Sequence, residues 1–270
     1  MKNHLLRGHA PITDAGWALL DDEARERLRS TLAARKLVDF EGPKGWEHSA
    51  TNLGRTTAVK ETPIDGLRAA QRRVLALVEV RAPFSVSRAE LADGDRGADD
   101  VDFDDLDEAA HRIATLENLA VFHGWSAAAI DGIAEASPHP AITLGEDHFE
   151  EYPRHVAKAE QLLLDAGVEG PYGLALGPEE YTGVVETAEH GGYPLLDHLR
   201  EILGGPIVWA PGVRGAVLLS LRGGDFLFQS GLDLSIGYDH HDADTVQLYL
   251  EESFSFRVAT PEAAVALRGR

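Results

Sequence analysis

A chain of 270 residues, 44% hydrophobic and 26% charged, is long enough for one large or two modest domains with a real core, and is neither disordered nor collagen-like. Its 45 acidic against 25 basic residues leave a formal charge of −20, so no basic surplus exists to neutralise a phosphate backbone and nucleic-acid binding is disfavoured as the main task. The absence of cysteine rules out disulfides, thiolate metal sites and a cysteine nucleophile; with no signal-like start and no apolar run near ~18 residues, a soluble, cytoplasmic protein is expected.

Trp17, Leu20, Ala24, Leu28 and Leu32 recur at helical spacing, with charged residues between them, and predict an amphipathic helix over 14–36 capped by Thr13. Its apolar stripe packs on its own core or lines a groove shared with a peptide. Residues 49–82 read as two long strands. The first half offers only Ala50, Leu53, Ala58 and Val59 as apolar residues, and the second alternates through Val74, Ala76, Val78 and Val80. A hairpin with so little to bury is either an arm lying along another chain or an ordinary edge hairpin.

From Asp93 to Glu108 the chain carries nine acids and one base, leading into a second helix marked by Leu106, Ala110, Ile113, Leu116 and Ala120 that ends near Gly124. A calcium loop starting at Asp93 fails, because its sixth and twelfth positions are Ala98 and Asp104 instead of glycine and glutamate. Beyond Ser137-Pro138-His139-Pro140, helices over about 153–166, 179–186 and 194–203 alternate with strands at 172–176 and 207–210, which predicts a second α/β subdomain. The chain then turns strand-rich, with strands at 216–221, 225–229, 234–238 and 245–258 that return to the first domain.

Enzyme signatures are lacking: no phosphate-binding loop, no dinucleotide glycine fingerprint, no His-Glu-x-x-His and no Gly-x-Ser-x-Gly. The cluster His240, His241, Asp242 and Asp244 has metal-binding residue types, but adjacent histidines on a strand point to opposite sides, which favours a polar turn.

Short stretches spread along the chain carry a resemblance. They are Ala10-Pro11-Ile12-Thr13 with Trp17, Ala34-Arg35-Lys36-Leu37-Val38-Asp39 with Gly42-Pro43-Lys44-Gly45-Trp46, Gly170-Pro171-Tyr172, Gly192-Tyr193-Pro194-Leu195, Arg222-Gly223-Gly224-Asp225-Phe226 and Asp233-Leu234-Ser235-Ile236-Gly237-Tyr238. In this order they resemble encapsulin shell proteins of the first family, the bacterial and archaeal nanocompartment proteins also described as linocin-type bacteriocins. The resemblance runs from residue 5 to about 267.

It implies an α+β chain with the tailed-phage major capsid protein fold of the Hong Kong phage type. The expected division is a peripheral domain over 1–48 and 83–138, with a spine helix in the second part, an extended arm over 49–82, an axial domain over 139–223, and a return to the peripheral domain with the C-terminal strands over 224–270. The implied function is a self-assembling icosahedral shell subunit that is not itself an enzyme, on the order of 60 copies per shell. The shell encloses a cargo enzyme, a dye-decolourising peroxidase or a ferritin-like iron oxidase, linking it to oxidative stress or iron storage. A phage-derived capsid around DNA and a free hydrolase are the alternatives.

Three site expectations follow from the resemblance. A short C-terminal cargo peptide with leucine or isoleucine anchors docks on Leu28, Leu32, Arg35, Asp39, Asp233, Leu234 and Ile236, with the acids at the rim meeting basic residues of the tail. A five-fold pore is ringed by Glu186, Glu189 and His190 in the loop before Gly192-Tyr193-Pro194. Some shells of the family stack flavin on a tryptophan, but Arg88 stands at that place here, so no flavin and no other cofactor or metal is expected.

Overall fold

The computed structural model describes residues 4–145, 149–188 and 193–269. The Trp17–Leu28 stripe becomes helix α1, Asp14–Thr31, whose N-cap Thr13 accepts the Gly16 N–H. A short 3-10 turn and strand β1, Asp39–Glu41, follow. Next come β2, Ala50–Val59, and β3, Ala69–Ala76, then β4, Val78–Ser87, and α2, Arg88–Asp95. The long helix α3, Asp104–His123, begins on Asp104, Asp105 and Asp107, acids suited to the positive end of its dipole. Then follow α4, Ile133–Ala136, β5, Ile142–Thr143, α5, Tyr152–Asp165, β6, Tyr172–Leu176, α6, Pro178–Glu186, and α7, Leu195–Leu203. The chain closes with β7, Ile207–Trp209, β8, Ala216–Ser220, β9, Phe226–Ser230, β10, Ser235–His241, β11, Thr245–Val258, and β12, Ala264–Arg268.

Among the described residues, two five-stranded sheets and one two-stranded hairpin organise these elements. In the first sheet the long β11 pairs antiparallel with β4, β10 and β9, and β1 adds in parallel to β9. The second sheet runs β5-β12-β8-β6-β7. One apolar core joins α1, the first half of α3 and β4, β10 and β11; another fills the space around the second sheet, α5 and α7. Helix α3 threads both, with Leu106, Ala110 and Ile113 in the first core and Ala120, Val121 and Phe122 in the second.

Three features depart from the sequence pattern. Helix α1 ends at Thr31 instead of residue 36, because the buried Asn118 of α3 intercepts it. Its Oδ1 accepts the Ala33 and Ala34 N–H groups, both at 3.0 Å, and its Nδ2 donates to the carbonyls of Thr31 at 2.8 Å and Pro211 at 3.1 Å.

The hairpin comprises β2 and β3 only. Residues 78–82 belong to β4, whose ladder is with β11. The alternation Val74, Ala76, Val78, Val80 runs unbroken across this change of partner, so the pattern alone hides it.

The C-terminal return divides. Strands β9, β10 and β11 join the first sheet, whereas β12 inserts between β8 and β5 of the second.

Candidate functional site

A groove of about 500 Å³ runs between α1 and the start of β10. The 3.6-residue period of α1 sends Ala24 and Leu28 inward beneath it and sets Arg25 and Arg29 along its edge. The opposite wall is Asp233, Leu234, Ser235 and Ile236, with Leu250 of β11 behind them. The N-terminal segment closes one end, held by the Tyr238 N–H donating to the Leu5 carbonyl at 2.8 Å. Arg7 bridges to Asp21 at 2.8 Å and lies over the Trp17 ring, 4.0 Å from its centroid.

Beneath the groove lies an ionic cluster centred on Arg35. Its Nε donates to Glu117 Oε2 at 2.8 Å, Nη1 to Asp233 Oδ1 at 2.6 Å and Nη2 to Glu252 Oε2 at 2.9 Å. Burial alone would make this guanidinium easier to deprotonate, but Glu117, Glu252 and Asp233 outweigh it and hold the cation more firmly. Glu252 is 1% exposed; burial, reinforced by neighbouring Glu117, pushes its carboxyl well above the usual range. Among the described residues, Oε1 of Glu117 and Oε1 of Glu252 are buried without a hydrogen-bond partner.

Of the seven residues expected at a docking site, six line this one groove: Leu28, Leu32, Arg35, Asp233, Leu234 and Ile236. Asp39 does not. It faces a separate cavity of about 190 Å³ and accepts the Gly224 N–H at 2.6 Å, tying the end of β1 to the turn before β9. Ile236 is only 1% exposed and Leu28 7%, so both are chiefly core, while Leu32 and Leu234 are half-buried and present apolar surface to the groove. The neighbouring Gly237 has a packing role, since a Cβ there would meet the Tyr249 ring at 2.2 Å.

A family model described as encapsulating protein for peroxidase matches residues 1–255. The type 1 encapsulin shell protein of Rhodospirillum rubrum is 50% identical over 272 aligned positions, covering 99% of this chain and 97% of its own length. That of Mycobacterium tuberculosis is 44% identical, covering 98% and 99%. The chain belongs to the type 1 encapsulin shell protein family. Its fold is that of tailed-phage capsid proteins, α+β. The virus-like particle from Pyrococcus furiosus matches with a TM-score of 0.64 at 19% identity, over 93% of this chain and 99% of its own. Mycobacterium phage Bobi matches at 0.58 and 14% identity, over 89% and 91%.

In this encapsulin chain the other sequence-stated positions fall as follows. Glu186 is the exposed last residue of α6, and Ala188, two residues on, makes an isolated bridge with Pro194. Glu189 and His190 lie outside the described residues. Arg88 opens α2 and donates to the carbonyls of Asp242 and Ala243 at 3.2 and 3.3 Å. His241 Nδ1 pairs with the Tyr238 hydroxyl and His240 Nδ1 with Asp239, and among the described residues no group of three or more ligands could hold a metal ion. No described helix is long and apolar enough to cross a membrane.

Sequence reasoning missed Glu117, Glu252 and Asn118. Glu117 and Asn118 sit on the buried face of α3, and Glu252 sits in a strand whose residues 248–256 are all buried. Polar residues on an otherwise apolar face were the available signal, since burying them requires partners.

Proposed function

We propose that this chain assembles with copies of itself into a closed icosahedral compartment on the order of 60 subunits and retains a cargo enzyme inside through a short C-terminal peptide of that enzyme. The observation that carries the reading is the groove between α1 and β10, which presents half-buried Leu32 and Leu234 beside an ionic cluster that holds its walls in place. Anchors buried there gain roughly 1.5–3 kcal/mol each, and repetition over many subunits multiplies retention of an oligomeric cargo. The cargo is a dye-decolourising peroxidase or a ferritin-like iron oxidase, and the chemistry belongs to it.

In this reading β2 and β3 form the arm that lies along neighbouring subunits, the first sheet with α3 forms the peripheral domain, and the second sheet forms the axial domain. Residues 54–61 and 63–74 are all exposed, including Val59, Val74, Ile64 and Leu67, which leaves apolar surface for a neighbour to cover. Five copies of the loop after Glu186, with Glu189 and His190, ring the pore through which small substrates pass.

The test is co-expression with a fluorescent reporter bearing a tail with leucine and isoleucine anchors. Wild-type shells should retain the reporter, and Leu234→Asp should give shells of normal yield that are empty. Normal loading of Leu234→Asp shells would refute the groove as the docking site. Nucleic-acid absorbance of purified wild-type shells would point instead to a DNA capsid.

A further inference from the structure

The hairpin of β2 and β3 is exposed over residues 54–61 and 63–74, so nothing packed along its length sets its direction. Only its base can. Among the described residues no strand ladder joins β2 to either five-stranded sheet, and β3 passes into β4 through the single residue Leu77.

The base rests on a row of polar side chains across the first sheet. Glu41 of β1, Gln229 of β9 and Ser255 of β11 are register partners on adjacent strands, so their side chains share one face. Thr51, the second residue of β2, and His48 just before the strand bond to that row. The Thr51 hydroxyl donates to Gln229 Oε1 and accepts from the Ser255 hydroxyl, both at 2.6 Å, and His48 Nε2 donates to the same Gln229 Oε1 at 2.8 Å. Gln229 Nε2 in turn donates to Glu41 Oε2 at 2.7 Å, and Lys44 pairs with the other oxygen of Glu41. The backbone is clamped at the same place. The Leu77 N–H donates to the Ser49 carbonyl at 3.0 Å and the Gly45 N–H to the Gly231 carbonyl at 2.7 Å. A Cβ at Gly231 would meet Leu77 Cδ2 and Ser253 Oγ, each at 2.6 Å, so the hairpin leaves the subunit against a tightly packed turn.

The first sheet does not need these side-chain bonds, since backbone ladders already join β1, β9 and β11. The hairpin does, because it is a long lever. The 10 residues of β2 at about 3.4 Å each give it a reach of about 34 Å, and a rotation of about 10° at the base moves the tip by about 6 Å. A shift of that size breaks any hydrogen bond or packed contact the tip makes.

We propose that Thr51 and Gln229 are positioning residues for assembly: their bond, braced by Ser255, His48 and Glu41, sets the angle at which the hairpin leaves the subunit and thereby the curvature with which subunits join. This rests on the reading of β2 and β3 as the arm that lies along neighbouring subunits. Loss of one hydrogen bond of ordinary net strength raises the population of other arm angles by about fivefold per subunit, and a shell of many subunits compounds the error.

The test compares purified full-length wild type, Thr51→Val, Thr51→Ser and Gln229→Leu by electron microscopy for particle size and by chemical denaturation for stability. Thr51→Val keeps the β-branched shape and leaves Gln229 Oε1 its His48 donor. The two variants that break the bond, Thr51→Val and Gln229→Leu, should unfold near the wild-type midpoint yet give open shells or a second size class, whereas Thr51→Ser, which restores the hydroxyl, should give the wild-type size alone. Wild-type size distributions in Thr51→Val and Gln229→Leu would overturn the proposal, as would Thr51→Ser behaving like Thr51→Val. Unfolded Thr51→Val and Gln229→Leu subunits would also overturn it, by making the network an element of the fold instead of an angle-setting brace. The arm reading itself fails separately, if deletion of residues 51–73 still yields closed shells.

Discussion

Arg35, in the 3-10 turn after α1, gathers Glu117 of α3, Asp233 of the segment before β10 and Glu252 of β11, so one side chain ties that turn to α3 and the first sheet. Removing one member of such a buried group leaves an uncompensated charge, and Arg35→Met should cost about 3–5 kcal/mol in unfolding free energy. Glu252 has a pKa raised in the folded chain, so its contribution is full below the ordinary glutamate range and is lost as pH rises through its folded value. Denaturation midpoints should therefore fall from mildly acidic towards alkaline pH, and Glu252→Gln should flatten that slope; an equal slope in the variant would contradict the assignment. Asn118→Ala removes three hydrogen bonds at the end of α1 and one to Pro211 and should destabilise by about 3 kcal/mol, measurable by chemical denaturation. Leu28, Leu32, Leu234 and Ile236 were legible at this scale through helical spacing and motif resemblance. The three polar partners in α3 and β11 were not, because their meaning depends on which distant backbone or guanidinium arrives beside them.

At the scale of elements, periodicity gave α1 and α3, and the scarcity of apolar residues gave the hairpin. It could not give the end of α1, which Asn118 sets from 85 positions away, or the switch of ladder partner at residue 77. Nor could it place β12, whose short apolar run fits either sheet by pattern and is assigned by its pairing with β8. The hairpin makes a direct prediction: deleting residues 51–73 removes its exposed strands without touching either core, so the subunit should remain folded by circular dichroism but fail to close into shells. Closed particles from that deletion would contradict assembly through the arm. The loop after α6 makes another: replacing Glu186 and Glu189 with lysine should slow entry of a small cation into loaded shells without changing particle yield, as read by a cation-sensitive cargo dye. Unchanged uptake would assign transport to another opening.

For the whole molecule, a formal charge of −20 per subunit means that assembly brings many like charges together. Apolar contact and strand pairing must overcome that repulsion, and added salt, by screening it, should favour closed particles. The most direct measurement is a cryo-electron microscopy reconstruction of shells co-expressed with the reporter whose tail carries the leucine and isoleucine anchors. It should show closed icosahedral particles with the tail as density between α1 and β10 and its anchors against Leu32 and Leu234. Open or irregular assemblies, or closed shells in which the tail contacts another surface while this groove stays empty, would contradict the account.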